Sequence, residues 1–245
     1  MLQRTRNRQS DRNGSAQNAA PVLMVLHQER STAGRVGQHL LARGLALDIR
    51  RPAMGDPLPE TLENHSGAVV FGGPLSANDQ TEFIARETEW LAVPLREQKP
   101  FLGICLGAQM LARHLGATVT THPEGKAEIG YYPIRITDAA RGVTPEWPDR
   151  VYQWHREGFA LPHGAELLAE GDIFEVQAFR YGPAAYGIQF HPEVTHAMMC
   201  RWTTLGHVRL EMPGARPRTE HFVDRPVYDP AIRAWLAAFL DRWVS

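Results

Sequence analysis

The sequence predicts an α/β protein built on an open, mostly parallel β-sheet with helices on both faces. From residue 21 onward, short apolar runs alternate with segments of helical periodicity, which is typical of strands joined by crossover helices. In addition, one strand runs through Cys105 into a helix with almost no loop between them. The chain has 245 residues, of which 43% are hydrophobic and 22% charged, an ordinary globular composition.

The first half of the chain reads as repeated strand and helix units. Strands are predicted over residues 22–26, 45–49, 68–71 and 100–104, and helices over residues 35–42, 83–95 and 106–115. Gly44 and Gly116 mark the ends of the first and third helices. Pro94 should kink or shorten the second.

The second half is richer in strands. Strands are predicted over residues 130–136, 151–154, 174–181 and 185–190, followed by a helix over 195–205, an irregular loop over 206–229 and an amphipathic helix over 230–243. No second boundary is evident, so residues 21–245 are predicted to be one domain with a C-terminal helical extension. Residues 1–20 contain almost no apolar residues and predict a disordered tail, with an organellar transit sequence as the alternative.

Charge and cysteine usage exclude several classes of protein. A net charge of −1 gives no overall field that would attract nucleic acid or anionic membranes, so a small-molecule substrate is expected. Two cysteines are too few for a disulfide framework, which indicates a reducing, cytoplasmic setting. No apolar stretch approaches the ~18 residues needed to span a bilayer. No histidine spacing indicates a metal, and no glycine-rich nucleotide motif indicates a cofactor.

The segment around Cys105 has the form of a nucleophile elbow. A strand ends, the chain turns sharply, and a helix begins, while Gly103 and Gly107 allow the strand and helix to pack closely. A helix N-terminus stabilises a thiolate, the reactive form of cysteine. An arbitrary cysteine is more often a small buried hydrophobe, but the flanking glycines favour the nucleophile.

A histidine and an acid follow the last predicted strand. His191 is placed to act as general base, and Glu193 to orient its ring and stabilise the imidazolium. The sequence therefore predicts a catalytic triad of Cys105, His191 and Glu193.

These motifs resemble those of the class I, triad-type glutamine amidotransferases, and the similarity is nearest to chains like the glutaminase domain of GMP synthetase. The two segments that carry it are Gly-Ile-Cys-Leu-Gly-Ala-Gln at 103–109 and His-Pro-Glu at 191–193. The resemblance implies a flavodoxin-like fold. It also implies that Cys105 attacks the side-chain amide of glutamine, forms a γ-glutamyl thioester and releases ammonia.

The resemblance also suggests further site residues. It places an oxyanion hole at the amides of Gly73 and Leu106, because the Gly-Gly-Pro segment at 72–74 follows the third strand. It places Gln109 in the glutamine pocket, and Trp154 and His155 in a segment that holds the amino-acid end of the substrate. Glu157 stands where many members have an aspartate.

Several alternatives stay open in the sequence. Ammonia could pass to a separate synthetase subunit, the chain could be a γ-glutamyl peptidase or hydrolase with the same thioester chemistry, or it could be a catalytically silent regulatory module. The intact triad argues against the last. His27, Gln28 and Glu29 either shape an acceptor pocket or, more commonly for such residues, are solvated. Cys200 lies in an apolar helical run and is predicted to pack in the core.

Overall fold

The computed structural model describes residues 20–244, and the predicted disordered tail falls outside this range except for Ala20. Twelve strands are present in these residues: β1 (Val22–Val25), β2 (Leu47–Arg50), β3 (Gly67–Val70), β4 (Phe101–Ile104), β5 (Val119–Thr121), β6 (Glu128–Pro133), β7 (Arg135–Ile136), β8 (Arg150–His155), β9 (Glu157–Phe159), β10 (Glu166–Glu170), β11 (Val176–Tyr181) and β12 (Ala185–Ile188). The α-helices are α1 (Gly34–Ala42), α2 (Glu82–Trp90), α3 (Ala92–Arg96), α4 (Leu106–His114), α5 (Asp138–Val143), α6 (His196–Leu205) and α7 (Arg218–Trp243). Short 3-10 helices cover Pro52–Met54 and His207–Glu211.

The central sheet has eight strands in the order β2-β1-β3-β4-β12-β11-β10-β7. Five neighbouring strands of this sheet, β2, β1, β3, β4 and β12, are parallel to one another. The sheet continues beyond β12 with β11, β10 and β7, each of which is antiparallel to the strand before it. The carboxyl ends of β3, β4 and β12 therefore lie side by side at one edge, where open α/β sheets bind ligands.

Apolar side chains cover both faces of this sheet. On one face α1 and α7 pack over residues such as Met24, Val69 and Leu102. On the other, α2 and α4 pack over residues such as Val25, Val70 and Phe101. Since successive strand residues point to opposite faces, strands buried on both sides appear in the sequence as continuous apolar runs. This arrangement confirms the predicted fold class.

A two-stranded ribbon lies beside the main sheet. The segment predicted as one strand over 130–136 divides at Ile134: β6 pairs with β8 in the ribbon, whereas β7 joins the edge of the central sheet. A second small sheet pairs β5 with β9. The strands β5, β9 and β10 and the helix α5 were absent from the sequence prediction, because each is short and has few alternating apolar residues.

The predicted loop over 206–229 is wrong over its second half, and so is the predicted start of the last helix at residue 230. The helix α7 begins at Arg218 and contains both Pro226 and Pro230. Proline normally breaks a helix interior, but tertiary contacts hold the first turns of α7 in place. His221 is fully buried and its Nδ1 lies 2.9 Å from the hydroxyl oxygen of Tyr152.

The effect expected of Pro94 is confirmed. The predicted helix over 83–95 is interrupted, with α2 ending at Trp90 and α3 starting at Ala92. The proline ring clashes with the carbonyl four residues earlier, which here belongs to Trp90. Within residues 20–244, no helix is both long enough and apolar enough to cross a membrane.

Candidate active site

Cys105 stands at the junction of β4 and α4 in a strained conformation. Its φ and ψ are 51° and −104°, a region that residues other than glycine rarely occupy. A Cβ on Gly103 would lie 2.6 Å from the carbonyl carbon of Gly107, and a Cβ on Gly107 would lie 2.1 Å from the carbonyl oxygen of Val70. Only glycine fits at either position, so the strand and helix pack together as the elbow motif requires.

The two other members of the predicted triad lie after β12, the strand next to β4. The Cys105 amide donates to the carbonyl of Ile188 at 2.8 Å, which ties the end of β4 to the end of β12. The His191 amide donates to the carbonyl of Tyr152 at 2.8 Å. The Nδ1 of His191 donates to Oε1 of Glu193, also at 2.8 Å. The structure therefore brings all three residues to one edge of the sheet.

The triad residues are buried and electrostatically coupled. Cys105, His191 and Glu193 are 6%, 4% and 2% exposed. Burial by itself lowers the pKa of His191, but attraction by Glu193 and by Cys105, together with the hydrogen bond to Glu193, outweighs burial and raises the pKa to about 10. A histidine with such a pKa is an imidazolium at neutral pH and stabilises a neighbouring thiolate.

Gly72 lies against both the nucleophile and the histidine. A Cβ on this residue would be 2.7 Å from Cε1 of His191 and 3.4 Å from Cβ of Cys105. The sequence alone does not show that Gly72, and not its neighbour Gly73, is the glycine that contacts the triad. The Gly-Gly pair after a strand does indicate that the backbone closely approaches another group there.

The two predicted oxyanion donors are free to bind a ligand. Within residues 20–244 the amides of Gly73 and Leu106 donate no hydrogen bond. Leu106 is the first residue of α4, so its N–H is one of the unpaired donors of a helix N-terminus. Gly73 lies directly over His27, since a Cβ on Gly73 would be 2.9 Å from Cβ of His27.

The triad opens into a pocket of about 530 Å³. Trp202 forms one wall, with its ring centroid 4.9 Å from that of His191, and Trp154 lies beside it at 5.8 Å. Trp154, which the resemblance assigned to substrate binding, lines this pocket, and so does Trp202, which the sequence analysis did not single out. A larger cleft of about 770 Å³ lies between α1 and α7, but its lining contains none of the triad residues. We therefore place the site at the smaller pocket.

Two predicted pocket residues are not part of the pocket lining. Gln109 is buried, and its Nε2 donates to the carbonyl of Glu157 at 2.7 Å. His155 is also buried, with its Nε2 2.9 Å from Oε2 of Glu128 and its Nδ1 2.9 Å from the carbonyl of Glu157. Both side chains hold the backbone at the β8–β9 turn.

A buried pair that the sequence did not suggest supports the Gly72–Gly73 segment. The Nε2 of His27 lies 2.8 Å from Oε1 of Glu87, and its Nδ1 lies 3.3 Å from the carbonyl of Gly72. Burial alone lowers the pKa of His27, but attraction and hydrogen bonding by Glu87 offset this and raise it. His27 is therefore buried, whereas the sequence favoured a solvated side chain. Its neighbour Gln28 lines the pocket.

Cys200 differs from its prediction. It is partly exposed on α6 rather than packed in the core, and its Sγ lies 3.5 Å from Nε2 of His196, one turn earlier. The helix turns Met199 inward instead. Over the described part of the chain, no three His, Cys, Asp or Glu side chains are grouped so that they could hold a metal.

Comparison with known proteins agrees with this geometry. A family model described as glutamine amidotransferase class-I matches residues 28–200. The chain is 33% identical over 183 residues to YfeJ of Salmonella typhimurium, a glutamine amidotransferase-like protein, covering 71% of this chain and 76% of that one. It is 38% identical over 146 residues to one subunit of the glutamine-hydrolysing GMP synthase of Ignicoccus hospitalis, covering 57% of this chain and 73% of that relative.

A solved structure extends the similarity to almost the whole fold. The crystal structure of a glutamine amidotransferase from Thermotoga maritima superposes with a TM-score of 0.83 at 32% identity, covering 92% of this chain and 98% of that one. The family model spans well over half of the sequence and includes Cys105 and His191. The chain belongs to the class I glutamine amidotransferase family.

Proposed function

We propose that this protein hydrolyses the side-chain amide of glutamine through a covalent intermediate on Cys105. The observation that carries the proposal is the elbow at Cys105, with its φ of 51° at the N-terminus of α4, beside a buried His191 that is hydrogen-bonded to Glu193. A strained nucleophile, a histidine and an acid that orients it are the three parts that covalent acyl transfer needs.

The first half of the reaction forms a thioester. The thiolate of Cys105 attacks the amide carbon of glutamine, and the developing oxyanion accepts hydrogen bonds from the amides of Gly73 and Leu106. His191 gives its proton to the amide nitrogen as the carbon–nitrogen bond breaks. Ammonia leaves, and the γ-glutamyl group stays on the sulfur of Cys105.

The second half restores the enzyme. His191, now neutral, takes a proton from a water molecule as that water attacks the thioester carbon. The carbon–sulfur bond breaks, glutamate leaves, and the thiolate and imidazolium are regenerated. Glu193 stabilises the imidazolium at the start and end of the cycle, which agrees with the raised pKa of His191.

A γ-glutamyl hydrolase is the second candidate, since it differs only in the leaving amine. The size of the pocket favours it. About 530 Å³ falls within the ~300–1,000 Å³ range of sites for drug-sized ligands, whereas glutamine has only ten non-hydrogen atoms. The two candidates are separated by kcat/KM for glutamine beside a panel of γ-glutamyl peptides, including glutathione. A peptide preferred more than about tenfold over glutamine, near 1.4 kcal/mol, would favour the hydrolase.

The fate of the ammonia depends on a partner. The Ignicoccus hospitalis relative is by its name one subunit of a GMP synthase, and this chain would serve a separate synthetase subunit in the same manner. Such a partner would raise the rate of ammonia release when added to the purified chain.

Ammonia release by the purified chain tests the proposed activity. We expect Cys105→Ala to abolish release from glutamine and Cys200→Ala to retain it, because Cys200 lies on α6 but is not among the residues that line the pocket. Cys200→Ala is the matched control for loss of a thiol. Equal rates in the wild type and in Cys105→Ala would rule out the proposed nucleophile.

A further inference from the structure

The lining of the pocket includes several arginines and little negative charge. Arg30, Arg201 and Arg209 contribute to its lining, and among the described residues the only acid in that lining is Glu193. The carboxylate of Glu193 faces His191. Beyond the triad, the pocket is therefore lined by cations that its own acids do not neutralise.

Arg209 is the arginine best placed to bind a ligand. Within residues 20–244 its guanidinium forms no ion pair and no side-chain hydrogen bond, although the residue is partly buried. Arg201, in contrast, donates from Nη1 to the carbonyl of Arg30 at 2.8 Å. Burial lowers the pKa of Arg209, repulsion by Arg156 lowers it further, and attraction by Cys105 opposes both.

Arg209 follows closely on the segment of chain that forms the Trp202 wall of the pocket. Trp202 packs against His191, the residue that protonates the leaving amine. After Trp202 the backbone makes two tight turns. The Gly206 amide donates to the carbonyl of Trp202 at 2.8 Å, and the Arg209 amide donates to the carbonyl of Gly206 at 2.9 Å. Arg209 is therefore joined by a short turn to Trp202, which contacts the histidine expected to protonate the leaving amine.

We infer that Arg209 binds an acidic group on the leaving amine, so that the pocket takes γ-glutamyl compounds whose leaving group carries a carboxylate. A guanidinium presents paired N–H donors that match a carboxylate, and a partly desolvated pair is stronger than one in water. The space left in the pocket beyond a glutamine side chain accommodates such a group. The inference rests on the proposed thioester chemistry and adds the class of substrate.

A matched pair of substrates tests this inference. γ-Glutamylglycine and γ-glutamylglycinamide differ only in a carboxylate and a carboxamide on the leaving side. We expect the wild type to hydrolyse the acid with a kcat/KM at least about tenfold higher, near 1.4 kcal/mol. We expect Arg209→Gln to bring the two values within about twofold. Arg86→Gln, an exposed arginine on α2, should keep the wild-type preference.

A second pair identifies which carboxylate is bound. Glutamine and its α-amide both release ammonia and differ only at the α-carboxyl group. Suppose that Arg209→Gln slows the hydrolysis of glutamine as much as that of γ-glutamylglycine and does not change the rate for the α-amide. Arg209 then binds the α-carboxylate, and our inference is overturned. It is equally overturned if the wild type treats γ-glutamylglycine and its amide alike.

Binding to an inactive variant separates this inference from the proposed reaction. If the wild type releases neither ammonia from glutamine nor glycine from γ-glutamylglycine, the proposed function fails. Calorimetry with Cys105→Ala then still tests the role of Arg209. The inference is supported if this variant binds γ-glutamylglycine more tightly than γ-glutamylglycinamide and if the Cys105→Ala/Arg209→Gln double variant loses that difference. Equal binding of the two compounds, or no binding of either, contradicts it.

Discussion

The imidazole Nδ1 of His191 lies 2.8 Å from Oε1 of Glu193, and both side chains are almost completely buried. Attraction by the carboxylate and by Cys105 overcomes the burial that would otherwise lower the pKa of His191, and raises it from 6.5 to about 10. We expect the nitrogen NMR shifts of this ring to be those of an imidazolium at neutral pH and to change only as the pH approaches 10. A ring that is neutral at pH 7 would contradict the ion pair.

The same shift makes stability depend on pH. Because the folded-state pKa lies above the ordinary value of 6.5, this group contributes stability that is complete below about pH 6.5 and lost as the pH rises through about 10. We therefore expect the difference in unfolding free energy between the wild type and His191→Asn to be larger at pH 6 than at pH 10. A difference that grows with pH would contradict this assignment.

Gly72→Ala should remove activity with little effect on folding. The added methyl group would lie 2.7 Å from Cε1 of His191, so the His191 ring or the Gly72 backbone has to shift. A displacement of about 1 Å can cost roughly 10²-fold in rate, and we expect a loss of at least that size in ammonia release. Gly142→Ala is the matched control, because nothing lies within 4 Å of a Cβ at that position. Wild-type rates in Gly72→Ala would show that the close approach of Gly72 to His191 is not needed for catalysis.

Glu87→Ala should lower both stability and activity. It leaves His27 buried without its acidic partner beneath the Gly72–Gly73 segment. Removing one member of a buried ion pair costs about 3–5 kcal/mol, measurable as a reduced free energy of unfolding in urea. Glu89→Ala, an exposed residue on the same helix, should change that free energy by less than about 0.5 kcal/mol. Similar values for the two variants would show that the His27–Glu87 pair does not stabilise the fold.

The elbow could be predicted from sequence because its determinants are local. The positive φ of Cys105 and the tight contact between Gly103 and Gly107 arise within five residues of chain. The parallel sheet could also be predicted from the sequence, because buried strands such as β1 and β4 appear as uninterrupted apolar runs.

The parts that sequence did not reveal depend on distant contacts. His27 and Glu87 are 60 residues apart, and nothing local indicates that they pair. The early start of α7 was hidden by Pro226 and Pro230, whose helix-breaking tendency is overcome by packing around His221. Arg209 lies in a 3-10 helix without apolar periodicity, so its place in the pocket lining follows only from the fold.

Trapping the acyl-enzyme tests the central claim most directly. Protein mixed with glutamine, quenched in acid within milliseconds and digested, should yield the peptide containing Cys105 with an added γ-glutamyl group, detected by mass spectrometry. The adduct should be absent from Cys105→Ala and present in Cys200→Ala. Release of ammonia by the wild type with no adduct on Cys105, or with the adduct on Cys200, would contradict a thioester mechanism at the elbow.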